Sequence, residues 1–400
     1  MGTIFANKVI KSKNIVALRL HTLEKCGVST LNSDKLIMKN LSTFFASTRS
    51  IVRLSLICTG LLLALSSLSS CTSDDADPTD SDAYKVKDLF GTWQHHSLVT
   101  GLNEEGMWIR GIQTTNSSTA TMNLTLATGT YDTTFTSSNF VLSQTGLLTS
   151  RNDANTTSYL SQNKRILVGT TKRGNSCTLV LQQKVTPGTL YSASDLQGVW
   201  KIHYVEGGGS FECWLNATMT VDINGNATLT NVDTNHGEQA DQADVFSVSA
   251  EGVITSAENA SYHGFMSSDK NLVAFNMTSE AGGAGFGVAQ KVVTGTTYSA
   301  TDLTGRWQIR TILVGSERFT EHGIMTIDAN GTGVISDMIR DDGVIFDNPG
   351  NLDLSITAGG VISMAEDFNC FLSNDKQFVA GTRSDDSNQA FSLVLLQKMP

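Results

Sequence analysis

Trp93, Trp200 and Trp307 stand 107 residues apart, and each closes the same phrase: Asp88-Leu-Phe-Gly-Thr-Trp93, Asp195-Leu-Gln-Gly-Val-Trp200 and Asp302-Leu-Thr-Gly-Arg-Trp307. Tyr84, Tyr191 and Tyr298 recur at the same interval, as do the Gln-Lys pairs ending at Lys184, Lys291 and Lys398. A period kept from the start of a unit to its end means one unit copied three times, stacked as blades or strung as domains. It divides the chain into repeats at 84–190, 191–297 and 298–400 and leaves the first 83 residues outside.

Those first residues are a different kind of sequence. Residues 1–37 carry scattered basic side chains without periodicity and read as an extension ahead of a start at Met38, or as a long basic lead-in. In residues 38–70, Lys39, Arg49 and Arg53 precede an apolar run from Leu54 to Leu65, and Leu68-Ser-Ser-Cys71 follows. Basic segment, short apolar core and small residues, in that order, are the parts of a secretory signal peptide. The run is short for a span, which takes about 20 residues. The Leu-Ser-Ser-Cys ending resembles the lipobox of bacterial lipoproteins. That resemblance implies that Cys71 is lipidated and becomes the mature N-terminus. It also implies an outer-membrane anchor with the protein on the periplasmic or cell-surface face. Residues 71–83, Asp-rich with a single proline, have nothing to bury and read as an acidic tether. Such a chain spans roughly 20 Å on average.

Residues 1–70 hold nine of the 28 basic and two of the 38 acidic side chains, leaving 19 against 36 and a net charge of −17 beyond them. Nucleic-acid binding needs clustered Lys and Arg, so no nucleic-acid partner is expected. Cys177, Cys213 and Cys370 fall at different places in their repeats, so no disulfide recurs with the period; buried thiols acting as small hydrophobes fit them.

Gly, Ser, Thr and Asn are abundant and Pro is rare, a mixture suited to short strands and tight turns. Met122-Asn-Leu-Thr-Leu126, Met219-Thr-Val-Asp222 and Met325-Thr-Ile-Asp328 alternate apolar with polar and read as one recurring half-buried strand. Asn224-Gly225 and Asn330-Gly331 follow two of them and predict type I′ hairpins. Later come Leu160-Ser-Gln-Asn-Lys164, Met266-Ser-Ser-Asp-Lys270 and Leu372-Ser-Asn-Asp-Lys376, each ahead of an apolar strand. About eight strands per repeat, with no helix long enough for a crossover, predict an all-β antiparallel meander. Two closures hide the edges: three small eight-stranded barrels, favoured because the halves of a repeat do not match each other, or one six-bladed propeller. The Gly-x-Trp at each head, Gly91/Trp93, Gly198/Trp200 and Gly305/Trp307, resembles the opening of lipocalin-like and avidin-like barrels. The resemblance implies that Trp93, Trp200 and Trp307 are structural anchors plugging one end of each barrel.

Chemistry repeated three times would put the same reactive residues in each repeat, and His95, His96, His203 and Arg310 near the tryptophans differ. His95 or His96 with Glu104 or Glu105 is the best metal arrangement on offer, yet adjacent strand residues face opposite ways, so one histidine at most could join it. Asp222-Ile-Asn-Gly and Asp328-Ala-Asn-Gly begin like calcium loops but lack the later ligands, and hairpin turns explain them. No nucleophile elbow or phosphate loop is present. Trp108 and Trp214 on the second strand, with Phe319 near the same place, are candidate ligand-facing aromatics; core filling is the alternative. The expectation is a non-catalytic envelope lipoprotein whose three β units act as a binding or adhesion module. Its partners would be the membrane through Cys71 and a carbohydrate, peptide or small apolar ligand, with no cofactor and no metal. The alternatives are an envelope metal-dependent enzyme with its site in the first repeat, or a structural spacer.

Overall fold

The computed structural model describes residues 83–400, apart from 102–103, 118, 127–128, 137–139, 151–154, 210–211, 347–350, 365–367 and 386–388. Residues 38–70, which read as a signal peptide in the sequence, and Cys71 lie outside the described residues. The fold is all-β, and it is not a propeller.

The first repeat opens with a 3-10 turn, Val86–Leu89. Nine strands follow: β1 Gly91–Gly101, β2 Glu104–Thr115, β3 Thr119–Leu126, β4 Gly129–Thr136, β5 Phe140–Leu142, β6 Leu147–Ser150, β7 Thr157–Leu160, β8 Ile166–Arg173 and β9 Ser176–Lys184. The second has α1 Ala193–Leu196, then β10 Gly198–Gly207, β11 Cys213–Val221, β12 Asn226–Thr234, β13 Gln242–Val248, β14 Val253–Ser256, β15 His263–Met266, β16 Leu272–Thr278 and β17 Ala284–Val292. The third has α2 Ala300–Leu303, then β18 Gly305–Gly315, β19 Thr320–Ile327, β20 Thr332–Arg340, β21 Ile345–Phe346, β22 Asn351–Ile356, β23 Val361–Met364, β24 Phe368–Leu372, β25 Phe378–Asp385 and β26 Ala390–Lys398.

β10 to β17 form a closed eight-stranded antiparallel barrel. In the third repeat β19 pairs with both β18 and β20, which closes eight strands and leaves two-residue β21 as an appendage on β20. Closure removes the free edges that an eight-stranded meander would otherwise expose. The first repeat departs from the pattern. β4 lies along β3 from Thr119 opposite Thr136 to Leu126 opposite Gly129, on the edge that β13 takes against β12 in the second repeat. Among the described residues, β4 and β5 are therefore the ends of a nine-stranded sheet.

Two sequence expectations shift in register. Met219 and Met325 lie on the second strands β11 and β19, opposite Trp200 and Trp307, whereas Met122 lies on the third strand β3. The residue opposite Trp93 is Gln113, so the apolar alternation around Met122 belongs to the next strand. The Asn-Gly hairpins are also not type I′. Only Gly225 and Gly331 have positive φ, at 87° each, while the preceding asparagines do not. Asp222 Oδ1 instead accepts from the N–H groups of Asn224 and Asn226 at 2.8 and 2.9 Å, and Asp328 does the same for Asn330 and Thr332. These carboxylates hold turns, as aspartate does when its side chain bonds its own backbone.

The three repeats are not separate beads, because they share a core. Leu98, Val205 and Ile312 on the first strands are fully buried, as are Leu179, Phe286 and Leu393, and Leu181, Val288 and Leu395 on the last strands. Each trio is spaced by 107 residues, and all belong to one apolar cluster drawn from all three repeats. These side chains point out of their own sheets, alternating with the residues that fill each repeat's interior. β1 and β2 pack on β16 and β17, β10 and β11 on β25 and β26, and β18 and β19 on β8 and β9. Each seam thus sets the head of one repeat on the tail strands of the next, and the third repeat returns to the first. Buried glutamines follow the same cycle. Gln183 Nε2 donates to Leu272 O, Gln290 to Phe378 O and Gln397 to Ile166 O, at 3.2 to 3.4 Å.

Candidate functional site

The period-bearing residues meet at one end of each repeat. Trp93, Trp200 and Trp307 are at most 1% exposed, and each indole N–H donates to the carbonyl four residues earlier, Leu89, Leu196 or Leu303, at 2.7 to 2.8 Å. Lys184, Lys291 and Lys398 lie over these indoles and donate to the carbonyls of Asp88, Asp195 and Asp302. Lys164, Lys270 and Lys376 lie over Tyr84, Tyr191 and Tyr298 and pair with the same three aspartates at 2.8 to 2.9 Å. Burial is the largest single influence and raises these carboxyls, but the lysine and the backbone N–H three residues earlier together outweigh it and hold them below the usual range. In this plug-like cluster each lysine and each aspartate has a partner.

The seams are where the repeats differ. Position three after each tryptophan points out of its own sheet, on the face of Leu98, Val205 and Ile312: His96, His203 and Arg310. Across the sheet from them stand Arg110, Asn216 and His322. The facing strands of the next repeat put His263 against His96, Asn369 beside His203, and Thr157 at the position equivalent to both. In the first seam His96 and His263 lie 5.7 Å apart, centroid to centroid, and Arg110 crosses to the carbonyl of Ser261 at 2.9 Å. In the third, Arg310 fills the position and is 1% exposed. The middle seam has two short asparagines instead, and it opens into a cavity of about 370 Å³.

Lys201, His203, Asn216 and Thr218 line this cavity from β10 and β11, and Asn231, Asp233 and Glu238 from β12 and beyond it. Asn369 and Phe371 line it from the third repeat. A bulge between Asn216 and Thr218, together with Asn231 at φ 49°, turns the β12 side chains toward the seam. Lys201 Nζ donates to Thr218 Oγ1 at 2.8 Å, and partial burial lowers the lysine pKa. Burial, with Lys201 adding to it, pushes His203 down to about 3, so its imidazole is neutral in ordinary solution. The wall therefore offers one ammonium, two carboxylates, three amides, a hydroxyl and a neutral imidazole.

The aromatic candidates divide. Trp108 and Trp214 are 5% and 9% exposed and belong to the shared core, opposite Leu98 and Val205. Trp108 also donates to Thr278 Oγ1 of the second repeat. The third member of that position is Thr320, opposite Ile312; Phe319 lies one residue outside, half-buried beneath the guanidinium of Arg340. His95 and His96 face opposite ways. His95 lies inside the first repeat, with Nε2 3.1 Å from Ser97 and Nδ1 3.0 Å from the amide of Gln182, which also donates to Gln113. Burial pushes its pKa down to about 4. Nothing is described of the Glu104 and Glu105 side chains, and among the described residues no three His, Cys, Asp or Glu side chains gather as metal ligands. In the turn after β20, Asp341 pairs with Lys172 and Asp342 with Arg340. The seam residues His203, Asn216 and Asn369 carried no sequence signal of their own beyond breaking the threefold pattern.

No protein-family model matches the chain, and no curated relative matches it. Among solved structures, transferrin binding protein B from Neisseria meningitidis is similar at TM-score 0.27 and 7% identity, over 78% of this chain and 76% of that one. A DUF3598-family protein of unknown function from Nostoc punctiforme gives 0.17 and 12%, over 78% and 97%. Kievitone hydratase from Nectria haematococca gives 0.16 and 10%, over 84% and 98%. Likeness at these scores carries nothing about function.

Proposed function

We propose that this chain is a lipid-anchored envelope protein that binds a small polar ligand in the seam between its second and third repeats, without catalysis. The observation that carries the reading is the cavity itself. Of three equivalent seams, two are filled by His96, His263 and Arg110 or by Arg310, and the one with Asn216 and Asn369 is open. Pockets that hold small ligands are concave, with a few polar groups fixing orientation, and they favour boundaries between folded units. The lipobox-like Leu68-Ser-Ser-Cys71 and the acidic tether support the anchor.

Thermal shift of the mature protein against carbohydrates, short peptides and small apolar compounds tests the ligand. Asn369→Trp, which refills the seam, should abolish any shift, and a shift that survives it would place the ligand elsewhere. Membrane fractionation tests the anchor: Cys71→Ala should move the protein from the membrane to the soluble fraction.

A further inference from the structure

The seam cavity contains separated charges that, among the described residues, have no partner of opposite sign. Lys201 is half-buried, and its ammonium bonds only a hydroxyl, that of Thr218. Among the described residues no carboxylate stands within ion-pair distance of it, and no cation pairs with half-buried Asp233 or exposed Glu238. This is unlike the lysines of the plug, each of which has its aspartate or carbonyl. The register explains why the cavity charges stay apart. Lys201 is opposite Thr218, while Asp233 is opposite Asn216, so the two are separated by two strands and by two residues along the sheet. Neighbouring strands lie about 4.8 Å apart and residues rise about 3.4 Å, which puts the two backbones roughly 12 Å from each other.

Resting on the seam as the binding site, we propose that its ligand is a zwitterion of short-peptide size. Its carboxylate would meet Lys201 and its ammonium would meet Asp233 and Glu238. An extended chain gains about 3.5 Å per residue, so the free ends of a di- or tripeptide stand about 7 to 10 Å apart, and the two side chains cover the remainder. Asn216, Asn231 and Asn369 supply both donors and acceptors to the peptide groups between the ends. His203, neutral on the wall, adds no competing charge. With two carboxylates against one ammonium, the site also disfavours an acidic ligand side chain.

Calorimetric titration of the mature protein with trialanine, N-acetyl-trialanine, trialanine amide and maltotriose tests this. The expected result is saturable binding of free trialanine, weakened at least tenfold by blocking either end, and no binding of maltotriose. Lys201→Met should remove the penalty for amidation, and Asp233→Asn should reduce the penalty for acetylation. Equal affinity for free and blocked peptides overturns the zwitterion but leaves the seam as a binding site. So does maltotriose binding that Asn369→Trp abolishes while Lys201→Met and Asp233→Asn do not change it. Heat from none of the probes overturns the zwitterion here, and a negative thermal-shift screen across all three ligand classes would remove the binding reading as well.

Discussion

Tyr191, Asp195, Trp200, Lys270 and Lys291 are spread over 101 residues of chain and touch in the fold. Trp200 combines a fully buried ring with a buried donor. Trp200→Phe keeps most of the apolar area and orphans the Leu196 carbonyl, at a cost of about 1–3 kcal/mol. Urea unfolding should show it, and the same change at Trp93 or Trp307 should cost a similar amount. The histidines predict a pH dependence. Burial pushes His95, His263 and His322 down to about 4 and His203 to about 3. An unfolded histidine titrates near 6.5, so between pH 6.5 and about 4 the unfolded chain binds more protons than the folded one. Stability is therefore full above pH 6.5 and falls as pH drops through that window, by about 1.4 kcal/mol per unit for each such histidine. His203→Gln should flatten the slope measured by thermal melts between pH 7 and 4.5.

The elements show where local pattern suffices and where it misleads. Gly252 ends the turn before β14 at φ +88°, and a Cβ there would sit 2.9 Å from the Tyr191 ring. Gly252→Ala should destabilise by about 1–3 kcal/mol, through backbone strain and the clash together. Adding Tyr191→Leu should relieve only the clash, and a double-mutant cycle in urea separates the two. Most strands were legible, since alternation marks any half-buried strand; the extra strand β4 of the first repeat was not. Nor was strand identity. Met122 has the same alternation as Met219 and Met325 but belongs to β3, because the first repeat puts Gln113 opposite its tryptophan and joins it to Gln182 and His95. A polar interior erased the signal that would have aligned the repeats. Asn-Gly likewise named the turn without its type, since the capping aspartate two residues earlier changes the geometry.

At the scale of the molecule, one cluster of outward-facing side chains makes three sheets into one body. A single repeat carries both halves of a seam: β10 and β11 on one side, β16 and β17 on the other. Cut free as residues 191–297, it would expose Val205, Trp214, Leu272, Phe286 and Val288 to water. We expect that fragment to elute as a trimer or larger assembly in size-exclusion chromatography with light scattering. A stable, cooperatively unfolding monomer would show that the shared core adds little.

The 107-residue period and the alternation within it imply three like units of short antiparallel strands, and the Gly-x-Trp resemblance adds a buried tryptophan at the head of each. That much was legible because a plug is built within one repeat, and its members must recur wherever the unit recurs. The seam was not legible. His96, His203 and Arg310 looked like free variation beside a tryptophan, for nothing along the chain says which residue of another repeat will face them. Only the cyclic packing sets His203 beside Asn369, 166 positions away, and leaves a space there that larger side chains fill in the other two seams. A residue's alternation depends on its own strand, whereas a cavity depends on the combined volumes of side chains brought together from two strands.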